Sequence, residues 1–480
     1  RIRPLMDSNP CQVFQERVVV AMVGLPARGK SYISKAVVRY LNFLGCPTQL
    51  FNAGNLRRKH GLAGTDASFF DASNKNAKAQ REQMAMDCLD ELLGWLRQQT
   101  SESGGCACGI LDATNTTAER RKKVIQRCQR ELEVDPEIKL IFVESIADDE
   151  ALLAHNYNMK LDNDDYRGKD ASSALADFKS RVKQYETVYE EISEELDGEE
   201  TRYIKLINGG RKLVSKHVEG YVLRKVQRLL GSMHLGPRTI WLALSGETTN
   251  DTKGVLGGDS DLSEGGVEYA QGLSQLLLSR EALMEADHLA MVYCGTLKRY
   301  AEMSEILCAP SNGVNYSESE IESETEVTGA TKRRKRAAQA RQRLRLAAAN
   351  ELCAGTLDSL SASKMMERFP QECAARRADK LNYRYPGVGG ESYVDLVHRV
   401  NDLICMLEQS RGNTIVISER AVYRVVMGYF IGKSIEELPH LDVQSGVLEL
   451  RRSHSGFNVT QLPILKGRAT SSIGAGSAPQ

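Results

Sequence analysis

No apolar run in these 480 residues is long enough to cross a bilayer, so neither a membrane-spanning helix nor a membrane partner is expected. Net charge is absent as well, because 63 Lys and Arg balance 63 Asp and Glu. A general nucleic-acid binder needs an excess of positive charge, and this balance argues against one. Cysteine pairs of the C-x-x-C type are missing, although eleven cysteines are present. Cys106-x-Cys108 is too tight for a usual zinc knuckle. Scattered reduced thiols in a cytoplasmic protein are therefore expected. The chain starts at Arg1 rather than Met, which implies that residues precede it and leaves upstream targeting signals open. The rest of the composition is ordinary, with 41% hydrophobic and 26% charged residues. The length suffices for two or three domains with sizeable cores.

The strongest local signal lies near the start. Val18–Val23 is an apolar run with strand character, followed by Gly24-Leu25-Pro26-Ala27-Arg28-Gly29-Lys30-Ser31. This fits G-x-x-x-x-G-K-[ST], in which glycines curl the backbone so that its N–H groups face phosphate oxygens. The next helix starts there and presents its positive end. Lys30 then reaches the β- and γ-phosphates, and the Ser31 hydroxyl is a Mg²⁺ ligand. Such chemistry wants a second carboxylate at the carboxyl end of a strand. Asp112 closes Gly109-Ile110-Leu111 and meets that need, a plain helix cap being the rival reading. Arg57, Arg58, Arg81, Arg120, Lys160 and Arg181 are each ordinary surface charges when taken singly. Beside a phosphate loop, a set of arginines points to an acceptor that is itself phosphorylated, because guanidinium groups match phosphate bidentately.

Alternation of apolar periodicities predicts two α/β domains with mostly parallel sheets. In the first, helices are expected over Tyr32–Leu44, Gln80–Gln99 and Ser172–Leu196, with strands over Cys108–Leu111, Lys139–Val143 and Tyr203–Leu206. The pattern restarts after Gly231–Pro237, with strands over Thr239–Leu244, Leu289–Cys294 and Thr414–Ser418. The expected bounds are a loose lead-in over 1–16, domains over 17–237 and 238–464, and a disordered tail over 465–480. A charged insertion over about 311–345 combines the acidic stretch Ser317–Glu326 with the basic block Lys332–Arg336. It is expected to be solvated and self-neutralised, with a nuclear signal or polyanion patch as the alternative and helix open for Ala337–Asn350.

Several motifs together carry a resemblance. The phosphate loop, Asn52-Ala53-Gly54-Asn55-Leu56-Arg57-Arg58, Asp112-Ala113-Thr114-Asn115-Thr116-Thr117 with Glu119-Arg120-Arg121, and Arg181-Val182 with Tyr185-Glu186 resemble the 6-phosphofructo-2-kinase/fructose-2,6-bisphosphatase family. The resemblance runs from about Gln15 to Ile464. It implies a P-loop NTPase-like kinase domain followed by a histidine-phosphatase-like, phosphoglycerate mutase-like α/β domain, with dimerisation through the kinase half. It also implies ATP with Mg²⁺, fructose 6-phosphate as acceptor and fructose 2,6-bisphosphate as product. By the same resemblance Lys30, Asp112 and Lys160 are catalytic, and Ser31 and Asp112 hold the metal. Arg57, Arg58, Arg81, Thr114, Arg120, Arg181 and Tyr185 surround the sugar phosphate. The Asn-x-Asn-Met pattern before Lys160 is shifted relative to the family, and Ser31 stands where threonine is common.

In the second half the scaffold motifs match but the catalytic ones do not. The family's Arg-His-Gly-Glu reads Leu244-Ser245-Gly246-Glu247, and its Cys-His-Gln-Ala-Val reads Ser418-Glu419-Arg420-Ala421-Val422. A further family histidine corresponds to Ser445, and all eight histidines lie elsewhere. An inactive phosphatase is therefore expected. Arg299, Glu351, Arg376, Lys380 and Tyr393 remain where the family binds phosphate or donates a proton. They are relics, or else they line a pocket that still binds a sugar phosphate. The alternatives for the whole chain are a bifunctional enzyme with an unconventional nucleophile, a metabolite-sensing binding protein, and another small-molecule kinase.

Overall fold

The structure is a computed structural model that describes residues 15–60, 69, 74–103, 105–133, 135–161, 171–236, 238–282, 290–309, 341–453, 456–464 and 467–470. The chain divides into two units, the second beginning at Pro237. In the first unit, strand β1 (Arg17–Val23) consists, after Arg17, of β-branched and apolar residues, and it is buried on both faces. It therefore occupies an interior position in the sheet. Helix α1 (Lys30–Phe43) follows, then β2 (Thr48–Asn52), α2 (Ala53–Lys59), α3 (Lys75–Ser103), β3 (Ala107–Asp112) and α4 (Ala118–Leu132). Strand β4 (Ile138–Ile146), α5 (Glu150–Leu161), α6 (Ala171–Glu186), β5 (Tyr203–Ile207) and β6 (Lys212–Lys216) complete the sheet order β2-β3-β1-β4-β5-β6. Only β6 runs antiparallel. The register sets Asn52 beside Asp112 and Ala21 beside Leu111, so β1, β2 and β3 end side by side. Leu89, Leu92, Leu93 and Leu96 of α3 pack onto that sheet with Phe51, Leu111 and Phe142.

The second unit repeats the logic with β7 (Thr239–Leu244), α7 (Glu264–Ala282), β8 (Met291–Cys294), α8 (Lys298–Cys308), β9 (Arg343–Arg345), α9 (Pro370–Ala378), α10 (Tyr393–Gln409), β10 (Thr414–Ser418) and α11 (Arg420–Ile431). The hairpin strands β11 (Val447–Ser453) and β12 (Gly456–Leu462) finish it. The sheet order is β12-β11-β7-β10-β8-β9. The parallel pair β7 and β10 brings Leu244 level with Ser418.

Several expectations are corrected. The helix expected over Ser172–Leu196 stops at Glu186. Beyond it the Ile192 N–H and Tyr189 hydroxyl donate to the buried Glu144 carboxylate, at 3.2 and 2.7 Å, and Glu190 N–H donates to Thr116 at 2.8 Å. These tertiary bonds take the place of the helical ladder. Residues 341–345 do not belong to a solvated insertion. Arg341 is buried against Glu281 at 2.7 Å, and Arg343–Arg345 form an edge strand rather than helix. The acidic and basic blocks themselves lie outside the described residues. The lead-in is not loose at its end, where buried Glu16 accepts from Val222 N–H at 2.9 Å and from Lys139 at 3.0 Å. Nor is the start of the tail disordered: Thr470 N–H donates to Ser245, and Glu247 N–H donates to Arg468, both at 2.9 Å. Residues 1–14 and 471–480 lie outside the described set.

One buried ion pair ties the first unit together. Arg121 donates to both oxygens of Asp197 at 2.6 and 2.8 Å, and both side chains are fully buried. Arg121→Ala strands that carboxylate. It is expected to lower unfolding free energy by about 3–5 kcal/mol, measured by urea denaturation. Arg121→Met/Asp197→Leu should lose much less, and an unchanged midpoint for Arg121→Ala would contradict the assignment.

Candidate functional site

The loop between β1 and α1 is built from backbone constraints. Gly24 has φ +131°, and a Cβ there would stand 2.5 Å from the Ser145 carbonyl oxygen. Gly29 has φ +84° and leads directly into α1. Ala27 adopts φ +58°, a strained value for a residue with a side chain. The loop is braced on two flanks: Gly24 N–H donates to the Thr114 carbonyl at 2.9 Å, and the Ser145 hydroxyl donates to the Arg28 carbonyl. Arg28 is buried and reaches Tyr157 at 3.4 Å and Glu186 at 3.5 Å. The Lys30 ammonium folds back onto the Leu25 carbonyl at 2.7 Å. Together these features make an N–H-lined curl at a helix N-terminus, the geometry that holds phosphate.

Asp112 stands at the carboxyl end of β3, almost fully buried, and accepts a hydrogen bond from Asn52 at 2.5 Å. Asn115 (φ +41°) reaches under β1 and donates to the Met22 carbonyl at 2.8 Å. Thr117 caps α4 by accepting from Arg120 N–H at 3.2 Å. The expected arginines come from elements flanking these strand ends. Arg57 is buried on α2, Arg58 contacts Asn55, and Arg81 on α3 contacts the Phe69 carbonyl. Arg120 is paired with Glu82 at 2.7 Å. Arg181 and Tyr185 lie on α6, whose last residue, Glu186, meets Arg28. The backbone of Lys160 lies in α5, and its side chain is outside the described residues.

No cluster of three or more His, Cys, Asp or Glu side chains with metal-binding geometry occurs among the described residues. Mg²⁺ is held through one or two protein oxygens together with substrate phosphates. The hydroxyl of Ser31 and the carboxylate of Asp112 are such hard oxygen donors.

In the second unit a cavity of about 460 Å³ opens beside β7 and β10. Arg299, Glu351, Arg376, Lys380, Tyr393 and Glu419 all line it. Leu244 and Ser245 are fully buried and are not among the residues that line it, and among the described residues the Ser245 hydroxyl has no hydrogen-bond partner. Glu419 contacts Arg299, whose second terminal nitrogen donates to Gly258. Burial holds the Glu419 carboxyl well above the ordinary carboxylate range, against the opposing pull of the Arg299 guanidinium. Glu351 accepts from Leu352 N–H at 2.8 Å and Ala421 N–H at 3.0 Å. Lys380 is pushed down to about 8, first by burial and then by Arg424 and Arg376. Ser445 is not among the residues that line the cavity.

Residues 8–237 match the family described as 6-phosphofructo-2-kinase, and residues 240–463 match the histidine phosphatase superfamily, branch 1. A chicken 6-phosphofructo-2-kinase/fructose-2,6-bisphosphatase is 36% identical over 424 residues, covering 88% of this chain and 79% of that protein. The chain belongs to the 6-phosphofructo-2-kinase/fructose-2,6-bisphosphatase family. A probable 6-phosphofructo-2-kinase of Schizosaccharomyces pombe is 34% identical over 458 residues, covering 89% of this chain and 67% of that relative. The 6-phosphofructo-2-kinase 1 of Saccharomyces cerevisiae is also 34% identical, over 439 residues, and the chain spans 49% of its length.

The sequence reading of this family member missed Arg420 and Arg424, both of which line the cavity. Their i,i+4 spacing on one helix face was the available signal. It also missed Asn52 and Ser145, which act through hydrogen bonds that only the register reveals.

Gly24→Ala forces a methyl group against a backbone oxygen that cannot swing away. ATP affinity should fall at least tenfold, about 1.4 kcal/mol, with the circular dichroism spectrum unchanged. Unaltered affinity by calorimetry would contradict the close packing at this turn.

Proposed function

We propose that this family member makes fructose 2,6-bisphosphate and does not break it down. In the first unit the phosphate loop and Asp112 converge on one sheet edge flanked by cationic elements. In the forward reaction the 2-hydroxyl oxygen of fructose 6-phosphate bonds to the γ-phosphorus of ATP. The bond from that phosphorus to the β–γ bridging oxygen breaks, ADP leaves, and the hydroxyl proton passes to solvent. Loop N–H groups and Lys30 hold the phosphates and meet the charge on the transferring group. Mg²⁺, when bound through Ser31 and Asp112, neutralises charge on the phosphate oxygens. Lys160 is assigned to the same charge stabilisation. Arg57, Arg58, Arg81, Arg120 and Arg181, with Thr114 and Tyr185, orient the sugar phosphate. Such a reaction gains mostly from positioning, so the lack of an evident general base is no obstacle.

For the second unit one observation carries the reading. Arg299, the cation a transferred phosphoryl group would need, is engaged by the Glu419 carboxyl. Ser245 stands where the family has its nucleophilic histidine, and among the described residues its hydroxyl has no base within hydrogen-bond reach. A serine hydroxyl without a base is a weak nucleophile. The reading extends to a cytoplasmic homodimer joined through the first unit, an extension that rests on the family alone.

With MgATP and fructose 6-phosphate, acid-labile fructose 2,6-bisphosphate should accumulate. Lys30→Met should lower kcat at least about 100-fold with the fold intact. Labelled fructose 2,6-bisphosphate should release no phosphate. Steady release that Ser245→Ala abolishes would overturn the one-way reading, and absence of product would overturn the kinase reading.

A further inference from the structure

Arg120 is held by a carboxylate to which the proposed reaction gives no part. Its Nε and Nη2 both donate to a single oxygen of Glu82, Oε2, at 2.7 Å each. The two side chains come from different helices, Glu82 from α3 and Arg120 from the first turn of α4. The pair is shielded, with 14% of the Arg120 side chain and 22% of the Glu82 side chain exposed. The neighbouring pairs Lys78–Glu119 and Lys123–Glu119 stand open to water, where an ion pair contributes little. Glu82 Oε1 has no hydrogen-bond partner among the described residues and lies 3.5 Å from the Lys123 ammonium. The negative charge of Glu82 therefore acts chiefly on Arg120.

The place of Arg120 in α4 gives the sign of the effect. Its N–H donates to the Thr117 capping hydroxyl at 3.2 Å, so the residue sits where the positive end of the helix dipole disfavours a cation. Glu82 offsets that cost in the free protein. A bound phosphate would offset it as well, and the two anions compete for one positive centre. Glu82 takes the Nε edge of the guanidinium, and Nη1 has no partner among the described residues. A phosphate can therefore approach the other edge without breaking the pair. It then shares one guanidinium with a carboxylate, and the two negative groups repel each other across it.

We propose that Glu82 sets the affinity for the acceptor: by offsetting Arg120 it holds the KM for the sugar phosphate high without touching the reacting atoms. A KM held high keeps the rate responsive to acceptor concentration over a wider range before saturation. The inference deepens the reading that Arg120 orients the sugar phosphate, and Arg120→Ala tests that reading separately.

Steady-state kinetics on the full chain decides the matter, with MgATP saturating and fructose 6-phosphate varied. Glu82→Gln keeps an oxygen that accepts from Arg120 and removes only the charge. The KM for fructose 6-phosphate should fall about tenfold, with kcat and the KM for ATP within about twofold of the parent. Glu82→Ala should lower the same KM. A residue that merely holds Arg120 in place gives another pattern, in which Gln leaves KM unchanged and Ala raises it; either result would overturn the proposal. Arg120→Ala should raise the acceptor KM at least about tenfold, and adding Glu82→Gln to it should bring no further change, because the charge acts through Arg120. A fall in KM in that background would overturn the proposal too. An acceptor KM indifferent to Arg120→Ala would overturn the assignment of Arg120 and the inference with it. A KM raised by Arg120→Ala but not lowered by Glu82→Gln would overturn the inference alone.

Discussion

The first unit depends on how closely β1 passes into its loop at Gly24. The backbone there runs against the Ser145 carbonyl with no room for a side chain. One hydrogen bond ties it to Thr114 and another ties Arg28 to Ser145. These contacts come from β4 and from the residues just after β3, the strands that flank β1 in the sheet. Sheet register thus fixes the loop before any ligand arrives. The same register carries Asp112 and Asn52 to the edge where a metal and phosphates would sit. Preorganised donors need no reorganisation when charge moves, which is where such catalysis gains most.

In the second unit Ser245 and Glu419 directly follow the parallel strands β7 and β10. The unit's sheet and its cavity are in place, and Glu419 leads into α11 without a side-chain cap. A carboxyl group stands in contact with the arginine that would otherwise be open to a phosphoryl group. Such a pair lowers the penalty of burying Arg299, because a buried guanidinium without an acceptor is strongly unfavourable. The pair therefore favours folding. The start of the chain's tail adds to this, since Thr470 holds Ser245 through its backbone and Asp251 through its hydroxyl.

Much of this was legible in the sequence where local chemistry is decisive. The glycines of the phosphate loop, the strand over Thr239–Leu244 and the strand over Thr414–Ser418 lie where composition and pattern put them. Positions governed by distant partners were not legible. The break after Glu186 depends on Glu144, more than forty residues away, as the 48-residue separation from Ile192 shows. Arg341–Arg345 read as the end of a charged insertion until Glu281 and β8 gave them partners. Arg420 and Arg424 were not singled out as site residues because the cavity they line is assembled from segments spread over the unit. That Ser245 and Glu419 directly follow β7 and β10 was legible residue by residue. That Glu419 pairs with Arg299 was not.

The most direct test of a one-way enzyme is the stoichiometry of ADP against fructose 2,6-bisphosphate during prolonged turnover on one preparation with MgATP and fructose 6-phosphate. A chain that only synthesises keeps the two equal throughout. A chain that also hydrolyses would cycle, and ADP would outrun a plateau of fructose 2,6-bisphosphate, contradicting the account.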